Sequence, residues 1–205
     1  MTEIYLLRHG ETDWNIVKRY QGVSDIPLNP NGQLQAKAAA NKLVNQVRNI
    51  TAIYSSPQKR AFQTAQAVSE RLGLPIYQDD RLREINLGDW EGRLSTEIKQ
   101  NDGERNWTWH HFPLAVNPPG EHGESVMQVV ERVSAALDEI AEKHPQETVV
   151  VVTHGFTLAV AVCQALGVDL NHLFEYIPEN AGLTRIEWTA KCSQPAVMES
   201  CPDDL

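Results

Sequence analysis

Short apolar runs that stop at a basic or imidazole side chain, each followed by residues at helical spacing, constrain this chain more than any other feature of it. Ile4-Tyr5-Leu6-Leu7 ends at Arg8-His9-Gly10, and Thr148 to Val152 runs into Thr153-His154-Gly155. Ile50 to Tyr54 leads to Ser55-Ser56-Pro57, with Arg60 close behind. Runs of this kind read as strands buried on both faces, the pattern of a parallel sheet. Leu74 to Tyr77 and about Gly182 to Trp188 read as further short strands.

Helical patterns separate them. Asn29-Pro30 offers an N-cap and a first-turn proline ahead of Ala36, Ala39, Ala40, Leu43 and Val47. Ser56-Pro57 repeats that device before Phe62, Ala65, Val68 and Leu72, with Gly73 to close the helix. Ser125 and Gln128 form a capping box ahead of Val126, Val129, Val130, Val133, Leu137, Ile140 and Ala141, which make a core-facing stripe. Leu158 to Leu166 is a last apolar helix, ended by Gly167. The alternation predicts an α/β fold whose mostly parallel sheet is covered on both faces. Ligands of such sheets gather outside the carboxyl ends of the strands, where Arg8, His9, Arg60 and His154 lie.

From Leu82 to about Gly123 the periodicity weakens, and only a short helix near Leu94 to Lys99 is predicted. Loops this long inside a compact domain are usually functional lids. We expect one domain over 1–190, with a lid insertion at about 85–123, and a tail over 191–205. A chain of 205 residues, 41% of them hydrophobic, needs no disulfide or metal to complete its core.

The 18 Lys plus Arg against 27 Asp plus Glu leave a net charge of −9. That balance opposes nucleic acid or an anionic membrane as partner, since both need a broad basic face. An anionic substrate therefore requires cations concentrated in one place. Cys163, Cys192 and Cys201 are too few and too scattered for a disulfide framework or a zinc site. With no signal sequence in MTEIYLLRHGE and no apolar stretch of spanning length, a cytoplasmic protein is expected.

Two arginines and two histidines at strand ends suit a phosphoryl group. Arginine holds phosphate oxygens by two bonds at once and keeps its charge. Free N–H groups at the helix starts after His9 and His154 favour an anion further, so no metal or other cofactor is required. A neutral imidazole can attack phosphorus and become a phosphohistidine, while the second histidine and the arginines stabilise the transition state. A suitably placed glutamate can protonate the leaving oxygen, and Glu84 is the best placed, with Glu91 its neighbour and rival. Taken singly, His154 would serve as well in a structural hydrogen bond, Arg60 as a solvated charge and Asn15 as a turn stabiliser. His110 and His111 are adjacent, point apart and do not share a metal.

Leu6-Leu7-Arg8-His9-Gly10-Glu11-Thr12 with Trp14 and Asn15 resembles the signature of the histidine phosphatase superfamily, the group containing phosphoglycerate mutases. The resemblance continues through Tyr20-Gln21-Gly22, Ser55-Ser56-Pro57 with Arg60 and Thr64, Leu82-Arg83-Glu84, Trp90-Glu91-Gly92, Gly123-Glu124-Ser125 and Thr153-His154-Gly155. It implies a three-layer sandwich with one antiparallel edge strand. It also implies His9 as phosphoacceptor, Glu84 as proton donor, and Arg8, Arg60, His154 and Asn15 around the phosphate. Gln21, Gly22 and Gly155 would line the entrance or the phosphate site. Many members of the family are dimers, so a homodimer is expected.

Mutases of the family carry a longer insertion after the glutamate and usually read Gly-Trp where this chain has Gly22-Val23. The chain is more similar to the small phosphatases, which implies hydrolysis of a small phosphorylated metabolite. Phosphoserine leads, on the run from Val149 through Leu166-Gly167-Val168-Asp169-Leu170. The alternatives are a cofactor-dependent phosphoglycerate mutase, or a phosphatase for α-ribazole phosphate, phosphoglycerates or sugar phosphates. A phosphate-binding module without turnover is the remaining class. Trp107, Trp109, His110, His111 and His122 are the lid residues expected to touch the non-phosphate part of the substrate, or to pack the lid itself.

Overall fold

β1 (Thr2–Arg8), β2 (Ile50–Ser55), β3 (Ile76–Gln78), β4 (Thr148–Thr153) and β5 (Leu183–Trp188) form one sheet in the order β3-β2-β4-β1-β5. These come from a computed structural model that describes residues 1–120 and 122–190, with the backbone of 199–200. Apart from those two residues, the expected tail over 191–205, with Cys192 and Cys201, lies outside the described residues. The first four strands run parallel and β5 runs antiparallel beside β1. The two-residue β6 (Glu199–Ser200) pairs antiparallel with β5 and so extends the sheet past the expected edge strand.

The helices are α1 (Asp13–Ile16), α2 (Pro30–Gln46), α3 (Lys59–Leu72), α4 (Ser95–Asn101), α5 (Gly103–His111), α6 (Val126–Lys143) and α7 (Gly155–Leu166). Alternate strand residues point to opposite faces. Ile4, Leu6, Val149 and Val151 therefore pack with α6 and α7, and Tyr5, Leu7, Val150 and Val152 pack with α2 and α3. Helices on both faces of the sheet give the three layers. No described helix is long and apolar enough to cross a membrane.

Local signals account for most boundaries. Asn29 Oδ1 accepts from Gly32 N at 2.7 Å, with Pro30 at the first helical position. Ser125 and Gln128 exchange bonds of 2.8 and 3.2 Å at the start of α6. Gly73 and Gly167 end α3 and α7 in the left-handed region, which costs glycine no steric clash.

Three expectations are corrected. Ser56 does not cap α3: the helix starts at Lys59 behind Gln58, and the Ser56 side chain turns toward His154 instead. The third strand begins at Ile76 rather than Leu74, because Pro75 has no N–H to give the ladder. The segment expected to be a lid holds a second helix, α5, that periodicity did not reveal; of its side chains only Asn106 and Trp109 are buried, which is too little to make a stripe.

Gly32 lies within α2, where alanine in place of glycine ordinarily adds up to about 1 kcal/mol of stability. Here a Cβ would stand 2.0 Å from the Glu11 carbonyl oxygen, because α2 starts against the Arg8-His9-Gly10 turn. Gly32→Ala is therefore expected to destabilise the protein by about 1–3 kcal/mol through overpacking. Urea denaturation checks this, and a stabilised variant would contradict the close approach.

Candidate active site

Arg8 at the end of β1 stands opposite Thr153 at the end of β4 in a parallel pair, so the residues that follow, His9 and His154, become neighbours. Their rings lie 5.2 Å apart between centroids. β2 flanks β4 on the other side, with Ser55 opposite Val152. That register brings Ser56 beneath His154 and starts α3, which carries Arg60 into the same place.

His9 is buried, and its Nδ1–H donates to the Gly10 carbonyl at 2.7 Å. The bond leaves the lone pair of the neutral ring on Nε2. Ser56 Oγ lies 2.8 Å from His154 Nε2, and when its hydroxyl donates there the ring proton sits on Nδ1. Burial holds both imidazoles well below the usual histidine range, and the charge of Arg60 pushes each further down. His9 is thus neutral near pH 7, the state a nucleophile requires.

Arg60 is fully buried, and its guanidinium donates to the carbonyls of Ser24 and Gly22 at 2.7 and 2.8 Å. Burial pushes its pKa down to about 10, with partial relief from Glu84 and other acids. Arg8 donates to the Pro178 carbonyl at 2.5 Å and is likewise lowered by burial. Glycine at 155 lets that guanidinium approach α7, since a Cβ would meet Arg8 Cζ at 3.4 Å and Ile177 Cγ2 at 3.0 Å.

The Glu84 carboxyl accepts from Thr157 N at 3.2 Å and Phe156 N at 3.3 Å, at the amino end of α7, and lies 3.1 Å from Thr157 Oγ1, whose hydroxyl has the Arg83 carbonyl nearer at 2.8 Å. Glu91, which is not among the residues lining the cavity, accepts from Val23 N, Leu87 N and Ser24 Oγ and so ties two loops together. Asn15 spends its Oδ1 on the Thr12 N–H and hydroxyl in a capping box, as the turn-stabilising reading anticipates, while its amide N–H groups remain to donate.

Among the described residues, the buried side-chain polar atoms with no hydrogen-bond partner are Arg8 Nε, Arg60 Nε, His154 Nδ1 and Gln21 Oε1. An unsatisfied buried donor costs about 1–3 kcal/mol, so such atoms are rarely grouped without reason. The two arginine nitrogens are donors, as is His154 Nδ1 when the Ser56 hydroxyl donates to Nε2, and phosphate offers acceptors.

A cavity of about 290 Å³ is lined by Arg8, His9, Asn15, Gln21, Gly22, Arg60, Glu84 and Gly155. His154 lies buried beneath it against His9. A larger cavity of about 490 Å³ next to β5 has Lys42, Glu175 and Glu179 as its charged lining, without the histidines and arginines that phosphate chemistry needs. Of the five lid residues, Trp109 and His110 reach the active cavity. Trp107 and His111 stack on each other at 4.3 Å outside it, and His122 is exposed.

Sequence reasoning missed Gln58, whose side chain donates to the Gly22 carbonyl and accepts from Glu84 N at 2.8 Å. It also missed Arg19, which lines the cavity mouth. Neither carries a local signal, since each matters only through partners distant in the chain.

Fold and cavity together define a class: an α/β protein with a buried, cation-lined pocket beside a neutral histidine pair, suited to a phosphoryl group. The family model of the histidine phosphatase superfamily (branch 1) matches residues 4–199, and the chain belongs to that superfamily. Phosphoserine phosphatase 1 of Hydrogenobacter thermophilus is 37% identical over 186 residues, covering 91% of this chain and 86% of that protein. Phosphoglycerate mutase-like protein 4 of Arabidopsis thaliana is 40% identical over 154 residues, covering 75% and 66%. Among solved structures, mycobacterial glucosyl-3-phosphoglycerate phosphatase in complex with VO3 superposes with a TM-score of 0.86 at 30% identity, covering 96% of this chain and 97% of that one.

Proposed function

We propose that this protein hydrolyses a small phosphomonoester through a phosphohistidine on His9, without a metal, and that phosphoserine is the first substrate to test. The observation that carries the reading is the group of buried, unpartnered donors on Arg8, Arg60 and His154 around the free Nε2 of His9. In the first step Nε2 attacks phosphorus, the P–O bond to the alcohol breaks, and the Glu84 carboxyl gives its proton to the leaving oxygen. In the second, water attacks the phosphohistidine, the P–N bond breaks, and Glu84 takes a proton back. Arg8, Arg60, His154 and the Asn15 amide hold the equatorial oxygens throughout, where developing charge is stabilised by fixed donors. Gln21, Gly22 and Gly155 shape the entrance and the phosphate site.

Phosphoserine is favoured by the phosphoserine phosphatase relative, and the name of the Arabidopsis relative keeps a mutase reading in view. The proposal includes the homodimer that the family resemblance implies and the cytoplasmic setting expected from the sequence. A panel of phosphoserine, phosphoglycerates, sugar phosphates and α-ribazole phosphate, read as phosphate release, ranks the substrates. Transfer to phosphoglycerate in place of release would establish the mutase instead.

Glu84→Gln tests the proton donor. It is expected to slow alkyl phosphates by about 10²–10⁴ while slowing an aryl phosphate, whose leaving group needs no proton, by about tenfold at most. Equal losses on both would remove Glu84 from that role.

A further inference from the structure

We propose that the ion pair between Arg132 and Glu124 positions the Glu84 carboxyl; the inference rests on the reading of Glu84 as proton donor. Residues 83–87 belong to no strand or helix, so their backbone groups must find partners elsewhere. Side chains supply many of them. Arg132 Nη1 donates to the carbonyls of Arg81 and Arg83, each at 2.7 Å. Its Nε and Nη2 donate to the two carboxylate oxygens of Glu124 at 2.7 and 3.0 Å. Glu124 in turn accepts from Asn86 N at 3.1 Å and donates its own N–H to the Asn86 carbonyl at 2.9 Å. One guanidinium and one carboxylate therefore grip the segment on both sides of Glu84.

Both side chains are only 12% exposed, and neither lines the cavity. The charge of Arg132 also reaches the buried His154; that effect bears on both esters alike, whereas an influence through the segment they hold bears on the ester that needs a proton. Arginine suits the task because its planar fork presents donors in two directions at once, one edge to the carboxylate and Nη1 to the carbonyls. Removing Arg132 leaves the Glu124 charge unpaired, takes its donor from the Arg81 carbonyl and leaves the Arg83 carbonyl with the Thr157 hydroxyl at 2.8 Å, so the segment moves to find new partners. The carboxyl then shifts relative to the leaving oxygen while His9, Arg60 and His154 stay on their own elements. A misplacement of about 1 Å can cost about a hundredfold in a step that depends on alignment.

The experiment compares kcat/KM on phosphoserine, or another alkyl phosphate the wild type turns over, with that on p-nitrophenyl phosphate. The proteins are wild type, Arg132→Met, Glu124→Gln, Glu84→Gln and the double variant Arg132→Met with Glu84→Gln. Arg132→Met is expected to slow the alkyl ester about tenfold to a hundredfold and the aryl ester about threefold or less. Added to Glu84→Gln, it should bring no further loss on the alkyl ester, since the group it positions is already gone. Equal losses on both esters, or a loss that multiplies with that of Glu84→Gln, would overturn the inference and leave the pair a purely structural tie. Should Arg132→Met fail to fold, Glu124→Gln, which keeps the shape of the pair without its charge, is judged by the same criteria. Failure of the proton-donor reading is seen separately, as equal losses on both esters in Glu84→Gln alone.

Discussion

His9→Ala is expected to lower turnover of every phosphomonoester by at least about four orders of magnitude, because removing a covalent nucleophile removes the pathway. No second group stands ready to replace it. His154 has its Nε2 beside Ser56 and is fully buried, and Glu84 is held by the first turn of α7. Phosphate binding should survive, since Arg8, Arg60 and His154 are untouched. Rapid-quench kinetics on 32P-labelled substrate should show an acid-labile phosphoenzyme in the wild type and none in the variant. Calorimetry should find inorganic phosphate still bound by both. A labelled intermediate persisting in His9→Ala would place the nucleophile elsewhere.

Lowering the pH from 7 to 5.5 should destabilise the folded protein steeply. In the unfolded chain each imidazole takes up a proton near pH 6.5. In the folded protein burial keeps His9 and His154 neutral to well below that value. Between the two values the unfolded state binds more protons, so stability falls as the pH falls. The slope is about 1.4 kcal/mol per pH unit for each histidine and about 2.7 for the pair. Depressed carboxylates such as Asp79 lose their contribution only at lower pH, near and below the ordinary aspartate value. His172, raised by Glu175, acts with the opposite sign but sits in an exposed pair that contributes little.

Urea denaturation at a series of pH values between 5 and 7.5 measures the slope. His154→Gln should reduce it by about half, since one of the two proton-binding differences disappears. Saturating phosphate should also flatten it, because an anion in the cavity favours the imidazolium form. An unchanged slope in His154→Gln would remove the buried pair as the cause.

The same two histidines show what could be read early and what could not. Their positions after buried strands follow from runs such as Val149 to Val152, because a chain that buries apolar residues on both faces has few other options. The caps at Asn29 and Ser125 were equally legible, since a cap involves residues three apart. Ser56 looked identical in local terms and did something else: it gave up capping for a bond to a residue 98 positions away. α5 escaped notice because its apolar contact is confined to one turn around Trp109.

By itself the sequence determined the alternation of strands and helices, the ends of most of them, and which residues are candidates to handle a phosphoryl group. These follow from periods of two and 3.6 residues and from hydrogen bonds within a single turn. Only the tertiary structure decided that Glu84 rather than Glu91 faces the cavity, that Trp109 and His110 alone of the expected lid residues reach it, and that His9 and His154 touch. Those outcomes depend on the register between β1 and β4 and on which loops share hydrogen bonds. Such pairings form between segments far apart in the chain, where no local period or cap records them.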